Sequence, residues 1–412
     1  MKIFISGISG TGMGPLALMA KRAGLEVVGS DLAEGAVSNE LRKAEIEFDT
    51  ETKQDGSFLK KHLDSIDWFV YTSALPEDHA ELVMAKEAGI RTSKRDELIA
   101  YLVEKLGLKM VAIAGTHGKT TTTSMIIWGA LKLGIPISYL VGTTLPFAEA
   151  GNYDTNSEFL IYEADEYDRN FLHFFPWLSI ITVATYDHPD IYPTPMDYQA
   201  AFEKFRGQSE EVIEGSNLEG DGFRLAGKAR RKDAAMAMAA LLRMTEELGM
   251  TLSQDEIIDV LDNFPGAGRR FERITDGVYS DYGHHPEEVA STVEIAKEEA
   301  KLRGKLGVVL VYEPHQNTRQ HEVREGYKTA FDGVAKLYWL PTYLTRENPD
   351  LPVITPDEFI AGLDLTTRDV AEAAKPNRDL AKALKDYHQA GYLILLMTAG
   401  PADGWLRKVF EV

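Results

Sequence analysis

Twice in this chain a short apolar run breaks into a glycine-rich turn and continues as a helix with an apolar face. The first instance is "KIFISGISGTGMGPLALMAKRAG" (Lys2–Gly24), the second "KMVAIAGTHGKTTTTSMI" (Lys109–Ile126). Near-continuous apolar strands are buried on both faces, as in a parallel sheet covered by helices. Strand, turn, helix and strand again is the βαβ unit. Further strands are expected in "EVVGSD" and "DWFVYTSAL", and a helix in "KRDELIAYLVEKLG" with its stop at Gly107. After the second turn, "EFLIYEAD" and "LSIITVAT" predict strands. "KDAAMAMAALLRMTEELG" and "SQDEIIDVLDNF" predict helices, the latter with a serine cap. The stretch "FPGAGRRFE" breaks the pattern as a linker. "GVVLVYEP", "KLYWLPT" and "YLILLMTAG" then supply buried strands of a third α/β segment. The expectation is an α/β fold in three domains, residues 1–108, 109–265 and 266–412, the outer two Rossmann-like and the central one of P-loop type.

A chain of 412 residues suits two or three domains. Its formal net charge of −20 argues against a general nucleic-acid binder, which needs a basic surface. With no cysteine, disulfides, thiolate metal sites and a cysteine nucleophile are excluded. No apolar run is long enough to span a bilayer, and the first residues enter a strand rather than a signal peptide. A soluble cytoplasmic protein, monomer or homodimer, is expected.

The two turns differ in information. Gly7, Gly10 and Gly12 form G-x-x-G-x-G between strand and helix. Such glycines let a phosphate approach amides at a helix N-terminus, but many plain βα turns look the same. Asp31 ends the second strand, where a ribose-binding carboxylate would sit or a turn residue would serve equally. Gly118-Lys119-Thr120 is the end of a P-loop, in which amides hold phosphate oxygens, the lysine neutralises charge and the hydroxyl reaches Mg²⁺. The strict pattern fails at Ile113, and a glycine falls instead at Gly115.

"AGTHGKTTTT" closely resembles the Mur ligase family, ATP-dependent amino-acid ligases of peptidoglycan synthesis. "GISGTGMGPLA", "EADEYD" (Glu163–Asp168), "DHPDIY" (Asp187–Tyr192), "GAGRRFE" (Gly266–Glu272), "DYGHHPEEV" (Asp281–Val289) and "YEPHQNTR" (Tyr312–Arg319) carry the resemblance through all three segments. It implies amide-bond formation on the carboxylate of UDP-N-acetylmuramate by way of an acyl phosphate. The amine would come from L-alanine, or from an L-Ala-D-Glu-diaminopimelate tripeptide as in murein recycling. A non-enzymatic relative that only binds UDP-sugar or ATP is a third possibility.

By resemblance, Gly7, Gly10, Thr11, Gly12, Met13, Asp31 and Ser73 hold the UDP substrate. Gly115, Thr116, His117, Gly118, Lys119, Thr120 and Thr121 hold ATP, with Asp281 at its ribose. Lys119 stabilises the transferred phosphoryl group, and Arg270 contacts phosphate at the hinge. Thr120 binds Mg²⁺, and Glu163 with His188 binds a second Mg²⁺ bridging ATP and the substrate carboxylate. His188 enters only through the resemblance, because Mg²⁺ prefers oxygen and a satisfied loop histidine is the ordinary reading. His284, His285, His315 and Arg319 meet the acceptor and the amino-acid carboxylate. An arginine fork suits a carboxylate.

Four departures from the family pattern stand out. Val183 occupies a usual asparagine position. Ala229, Arg230 and Asp233 stand where His, Asn and Asn would contact adenine. The stretch from Phe205 to Gly227 is short, so central strands are expected to be missing. Gln316 replaces an arginine.

Overall fold

The computed structural model describes residues 1–188, 191–345 and 347–411. They divide into two compact units, one of residues 1–223 with 232–264, the other of residues 224–231 with 265–412.

The first unit is built on two sheets. Strands β1 (Lys2–Ser6), β2 (Glu26–Ser30), β3 (Glu47–Asp49), β4 (Trp68–Tyr71) and β5 (Arg91–Lys94) form a parallel sheet in the order β3-β2-β1-β4-β5. Strands β6 (Lys109–Ala114), β7 (Ser138–Leu140), β8 (Gly151–Asn152), β9 (Phe159–Glu163), β10 (Leu178–Ile181) and β11 (Glu211–Glu214) form the second, ordered β11-β10-β6-β9-β7-β8. Only the β7–β8 pair is antiparallel. In each sheet the strand that feeds a glycine turn, β1 or β6, is interior and flanked on both sides. The turn therefore opens at the carboxyl ends of parallel strands, where open α/β sheets bind their ligands.

Local signals account for the helices. Gly107 adopts φ 65° after helix Arg95–Leu106, a left-handed conformation that glycine enters without a Cβ penalty. Ser253 and Glu256 form a reciprocal capping box at helix Gln254–Asp262. Helix Lys228–Glu247 begins at Lys228 rather than at the expected Lys232. Between helices Pro195–Gln208 and Lys228–Glu247 the described residues hold β11 and one 3-10 turn, Gly215–Asn217, and no further strand.

The second unit carries β12 (Glu272–Thr275), β13 (Val278–Asp281), β14 (Val308–Glu313), β15 (Lys336–Trp339), β16 (Ala371–Ala373) and β17 (Leu393–Thr398), ordered β12-β13-β17-β14-β15-β16. Beyond the antiparallel β12–β13 hairpin it is parallel. Strands β14 and β17 are buried throughout, as their apolar runs require.

Candidate active site

The second glycine turn starts at the end of β6. A Cβ on Gly115 would stand 2.2 Å from Thr182 Oγ1, and Gly115 has φ 137°, so only glycine fits. Gly118, at φ 84°, directs the chain into helix Lys119–Leu133. The Lys119 ammonium donates to the Gly115 carbonyl and, at 2.7 Å, to Glu166 Oε2. Glu166 is wholly buried, and burial pushes its carboxyl above the ordinary range while Lys119 pulls it back. The Thr120 hydroxyl donates to Glu163 Oε1 at 2.7 Å. The other oxygen of Glu166, Oε1, has no hydrogen-bond partner among the described residues and lies 3.9 Å from His188 Nε2.

The residues expected to hold metal have these neighbours. Glu163 belongs with Thr120, whereas His188 neighbours Glu166 and Asp187. Strand β9 ends at Glu163, and Glu166 immediately precedes the 3-10 turn Tyr167–His173. Asp168 and Arg169 in that turn have φ 54° and 58°, a strained conformation of the kind that collects at functional sites. Pro189 and Asp190 of the "DHPDIY" motif lie outside the described residues. The donors suit a hard cation: oxygens predominate, one buried carboxylate oxygen is orphaned, and a hydroxyl points at a second carboxylate. Among the described residues no three His, Asp or Glu side chains converge as a cage, so phosphate and water oxygens would complete the shell.

The first turn is held differently. Ser30 O accepts the amides of Gly7 at 2.8 Å and Ile8 at 3.1 Å. Asp31 accepts the Ser9 amide at 2.8 Å and its neighbour Leu32 at 2.7 Å, which makes it a brace of the loop. Below, Glu81 is fully buried and accepts from the hydroxyls of Ser6 and Ser30 at 2.7 and 2.8 Å. Gly10 and Thr11 are exposed and Gly12 half-buried, so their backbone remains open to a ligand. The Met13 side chain is buried in the core and its amide is bound to Gly10 O. Ser73 is exposed just beyond β4.

In the second unit His284 and His315 meet edge to face, 5.4 Å between ring centroids, and His315 stacks on Tyr343. The hydroxyls of Tyr312 and Tyr327 both donate to His284 O, at 3.1 and 2.6 Å, and Gln320 donates to His315 O. Burial, then His284 and Arg319, lower the His315 imidazole to about 4, so it is neutral at physiological pH. Burial also lowers His284. The half-buried Arg319 guanidinium makes no hydrogen bond or ion pair among the described residues and is available to an anion. His285 starts helix Pro286–Leu302, with its amide on Glu288 at 3.2 Å. Arg270 lies over the Tyr282 ring at 5.5 Å. Asp281 is buried, and its oxygens accept the Phe271 and Gly283 amides, both at 2.7 Å.

The comparisons with known proteins bear on this geometry. A model described as "Mur ligase family, catalytic domain" matches residues 2–105, and one described as "Mur ligase middle domain" matches residues 113–221. The UDP-N-acetylmuramate–L-alanine ligase of Clostridium perfringens is 30% identical, with 87% of this chain and 86% of that protein covered. This chain belongs to the Mur ligase family. The ligase of the same name from Campylobacter curvus is 29% identical over 84% of this chain and 86% of its own length. The solved UDP-N-acetylmuramate-alanine ligase of Thermotoga maritima superposes with a TM-score of 0.77 at 22% identity, covering 100% of this chain and 98% of that one. A murein peptide ligase from Psychrobacter arcticus gives 0.57 at 19% identity over 100% and 98%. These structures show a shared fold.

Arg230 and Asp233 stand at positions where the resemblance predicts adenine contacts. Arg230 is 9% exposed, with its guanidinium over the Phe271 ring at 5.3 Å. Asp233 accepts from the Thr122 hydroxyl at 3.3 Å, and one of its oxygens is 2.7 Å from where a Cβ on Gly118 would stand. It thus sits against the phosphate loop. Three residues escaped the sequence reading: Glu166 as the partner of Lys119, Glu81 beneath the first turn, and Tyr327 behind His284. Only Glu166 carried a signal, as one of four acids in "EADEYD".

Proposed function

We propose that this Mur ligase joins L-alanine to UDP-N-acetylmuramate in peptidoglycan precursor synthesis, using ATP to make an acyl phosphate. The observation that carries the reading is the Lys119–Glu166 and Thr120–Glu163 constellation at the second turn, in a chain that matches ligases of that name over more than four-fifths of its length. Residues 1–108 would hold the UDP substrate, 109–265 ATP, and 266–412 the amino acid.

Hydroxide is a poor leaving group, so a carboxylate must be activated before an amine can displace its oxygen. A carboxylate oxygen attacks the γ-phosphorus of ATP and the bond to ADP breaks. Lys119 neutralises charge on the transferred group, and the amides from Gly115 to Thr121 position it in line. Glu166 holds the lysine in place until the nucleotide arrives. Mg²⁺, held by Thr120 with Glu163 and by His188 with Glu166, would supply charge neutralisation between the phosphates and the acceptor carboxylate. The amine nitrogen then attacks the acyl carbon and phosphate leaves with the activated oxygen. Arg319 binds the carboxylate of the amino acid, with neutral His315 near it, and the ammonium gives up a proton to solvent before the amine attacks.

Phosphate release is measured with UDP-N-acetylmuramate, ATP and Mg²⁺, comparing L-Ala, L-Ser, Gly and the L-Ala-D-Glu-diaminopimelate tripeptide. Release with L-alanine supports the reading. Release with the tripeptide alone would replace it by murein recycling, which the loss of a cation at Gln316 favours.

A further inference from the structure

We propose that Arg95 is an unassigned oxyanion ligand of the first glycine turn and contacts the acceptor substrate, an inference that rests on that turn holding the UDP substrate. Arg95 opens helix Arg95–Leu106. Its Nη1 stands 2.8 Å from where a Cβ on Gly12 would be, so the guanidinium lies against the turn. The side chain is only 25% exposed, yet the group makes no hydrogen bond among the described residues. Its nearest carboxylates, Asp96 Oδ1 at 3.6 Å and Asp165 Oδ2 at 3.7 Å, are beyond hydrogen-bond range. The neighbouring Lys94 is differently placed, because its ammonium is already bound to Asp168 at 2.8 Å.

A guanidinium has five donors in a planar fork and stays charged at every physiological pH. A largely enclosed fork held by ion pairs, with no hydrogen bond among the described residues, still has donors to offer an oxyanion. The adjacent feature that lacks a cation of its own is the turn Gly10–Gly12, whose exposed backbone is open to a phosphate or carboxylate. Arg95 also faces Asp165, the residue before Glu166, so the guanidinium stands between the first turn and the segment that holds Lys119.

The test is equilibrium binding of UDP, UDP-N-acetylglucosamine and UDP-N-acetylmuramate to the full chain, with ATP affinity measured beside them. Arg95→Ala should weaken at least one of the three by about tenfold or more, the loss of a charge-assisted hydrogen bond, and leave ATP affinity unchanged. Equal weakening of all three assigns Arg95 to the diphosphate. Weakening of UDP-N-acetylmuramate alone assigns it to the sugar's carboxylate. Arg95→Lys should fall between wild type and Arg95→Ala, because charge remains and the fork is lost. Asp165→Asn should bind UDP as tightly as wild type or more so, since a competing carboxylate at 3.7 Å loses its charge. If Asp165→Asn instead weakens UDP as Arg95→Ala does, Arg95 only braces the acidic segment and the proposal is overturned. Lys94→Ala matching Arg95→Ala would overturn it as well, in favour of a general positive field. A wild-type chain that binds none of the three overturns both this proposal and the assignment of the first turn.

Discussion

The two glycine turns share one backbone plan and differ in what their surroundings leave free. Each follows an interior parallel strand and opens a helix. At the first, the loop is braced from within: Ser30 O and Asp31 take the amides of Gly7, Ile8 and Ser9. Helix Gly14–Arg22 opens on Gly14, Pro15 and Leu16, with no cation or hydroxyl among those three. At the second, Lys119 and Thr120 each face a carboxylate, and one of these is wholly buried. A ligand binding there exchanges partners with a prepared set of charges. The same strand–turn–helix device thus presents open backbone in one place and a prepared set of charges in the other.

The sharpest way to break this contrast is Lys119→Ala. It should lower phosphate release by at least about 10³, the order expected when a charge on a transferring phosphoryl group is lost. UDP-sugar binding should stay near wild type, since the first turn shares no residue with the second. Turnover near wild type would show that the chemistry lies elsewhere.

Next in size come the groups proposed to hold Mg²⁺. Glu163→Gln and His188→Ala should each raise the Mg²⁺ concentration needed for half-maximal rate, and Glu166→Gln should do so while loosening Lys119. A loss of roughly tenfold to a hundredfold at fixed Mg²⁺ is expected for each. If Glu163→Gln and His188→Ala both leave the Mg²⁺ dependence unchanged, neither residue belongs to the metal site.

How far these roles could be seen in advance depended on whether the signal was local. The strands feeding both turns, the left-handed Gly107 stop and the Ser253 capping box were legible because each is written in a few consecutive residues. The edge strands β8 and β16, of two and three residues, carry no period that could reveal them. Glu166 was visible as an acid among acids, but which of them goes beneath Lys119 depends on the turn after β9 and on the packing of separate strands. Arg95 had no signal at all: in sequence it is a basic residue at the start of an amphipathic helix. Asp281 and Met13 point the same way, since their motifs were recognised while their burial, a tertiary property, was not.

A contrast within the second unit extends the comparison to the amino acid. Among the described residues Arg319 makes no hydrogen bond or ion pair, whereas Arg269 donates to the carbonyls of Thr398 and Gly400. Arg319→Lys keeps the charge and loses the fork, so the KM for L-alanine should rise about tenfold while those for ATP and UDP-N-acetylmuramate change little. A larger rise for ATP would move Arg319 to the phosphate site. Base selectivity should be affected less. With Ala229, Arg230 and Asp233 in place of the usual adenine contacts, GTP should support turnover within about tenfold of ATP, or roughly 1.4 kcal/mol. Thousandfold discrimination would show that other residues form the adenine pocket.

The smallest effect concerns stability and separates the histidines of the second unit from the charged groups of the second turn. His315 titrates at about 4 in the folded chain, chiefly through burial and then through His284 and Arg319. An unfolded histidine titrates near 6.5. Between these values the unfolded state holds more protons than the native one, so stability rises with pH across the window and falls as the solution is acidified through it. His284 is shifted in the same direction and adds to the trend. Because His315 is partly open to solvent, its share is discounted to about 1 kcal/mol at the acid end. That corresponds to about 2–4 °C in Tm for a unit of this size. His315→Asn removes the titration, so its Tm should fall less than that of wild type between pH 6.5 and pH 4.5. Parallel Tm curves for the two proteins would show that the surroundings of His315 do not disfavour its protonated form.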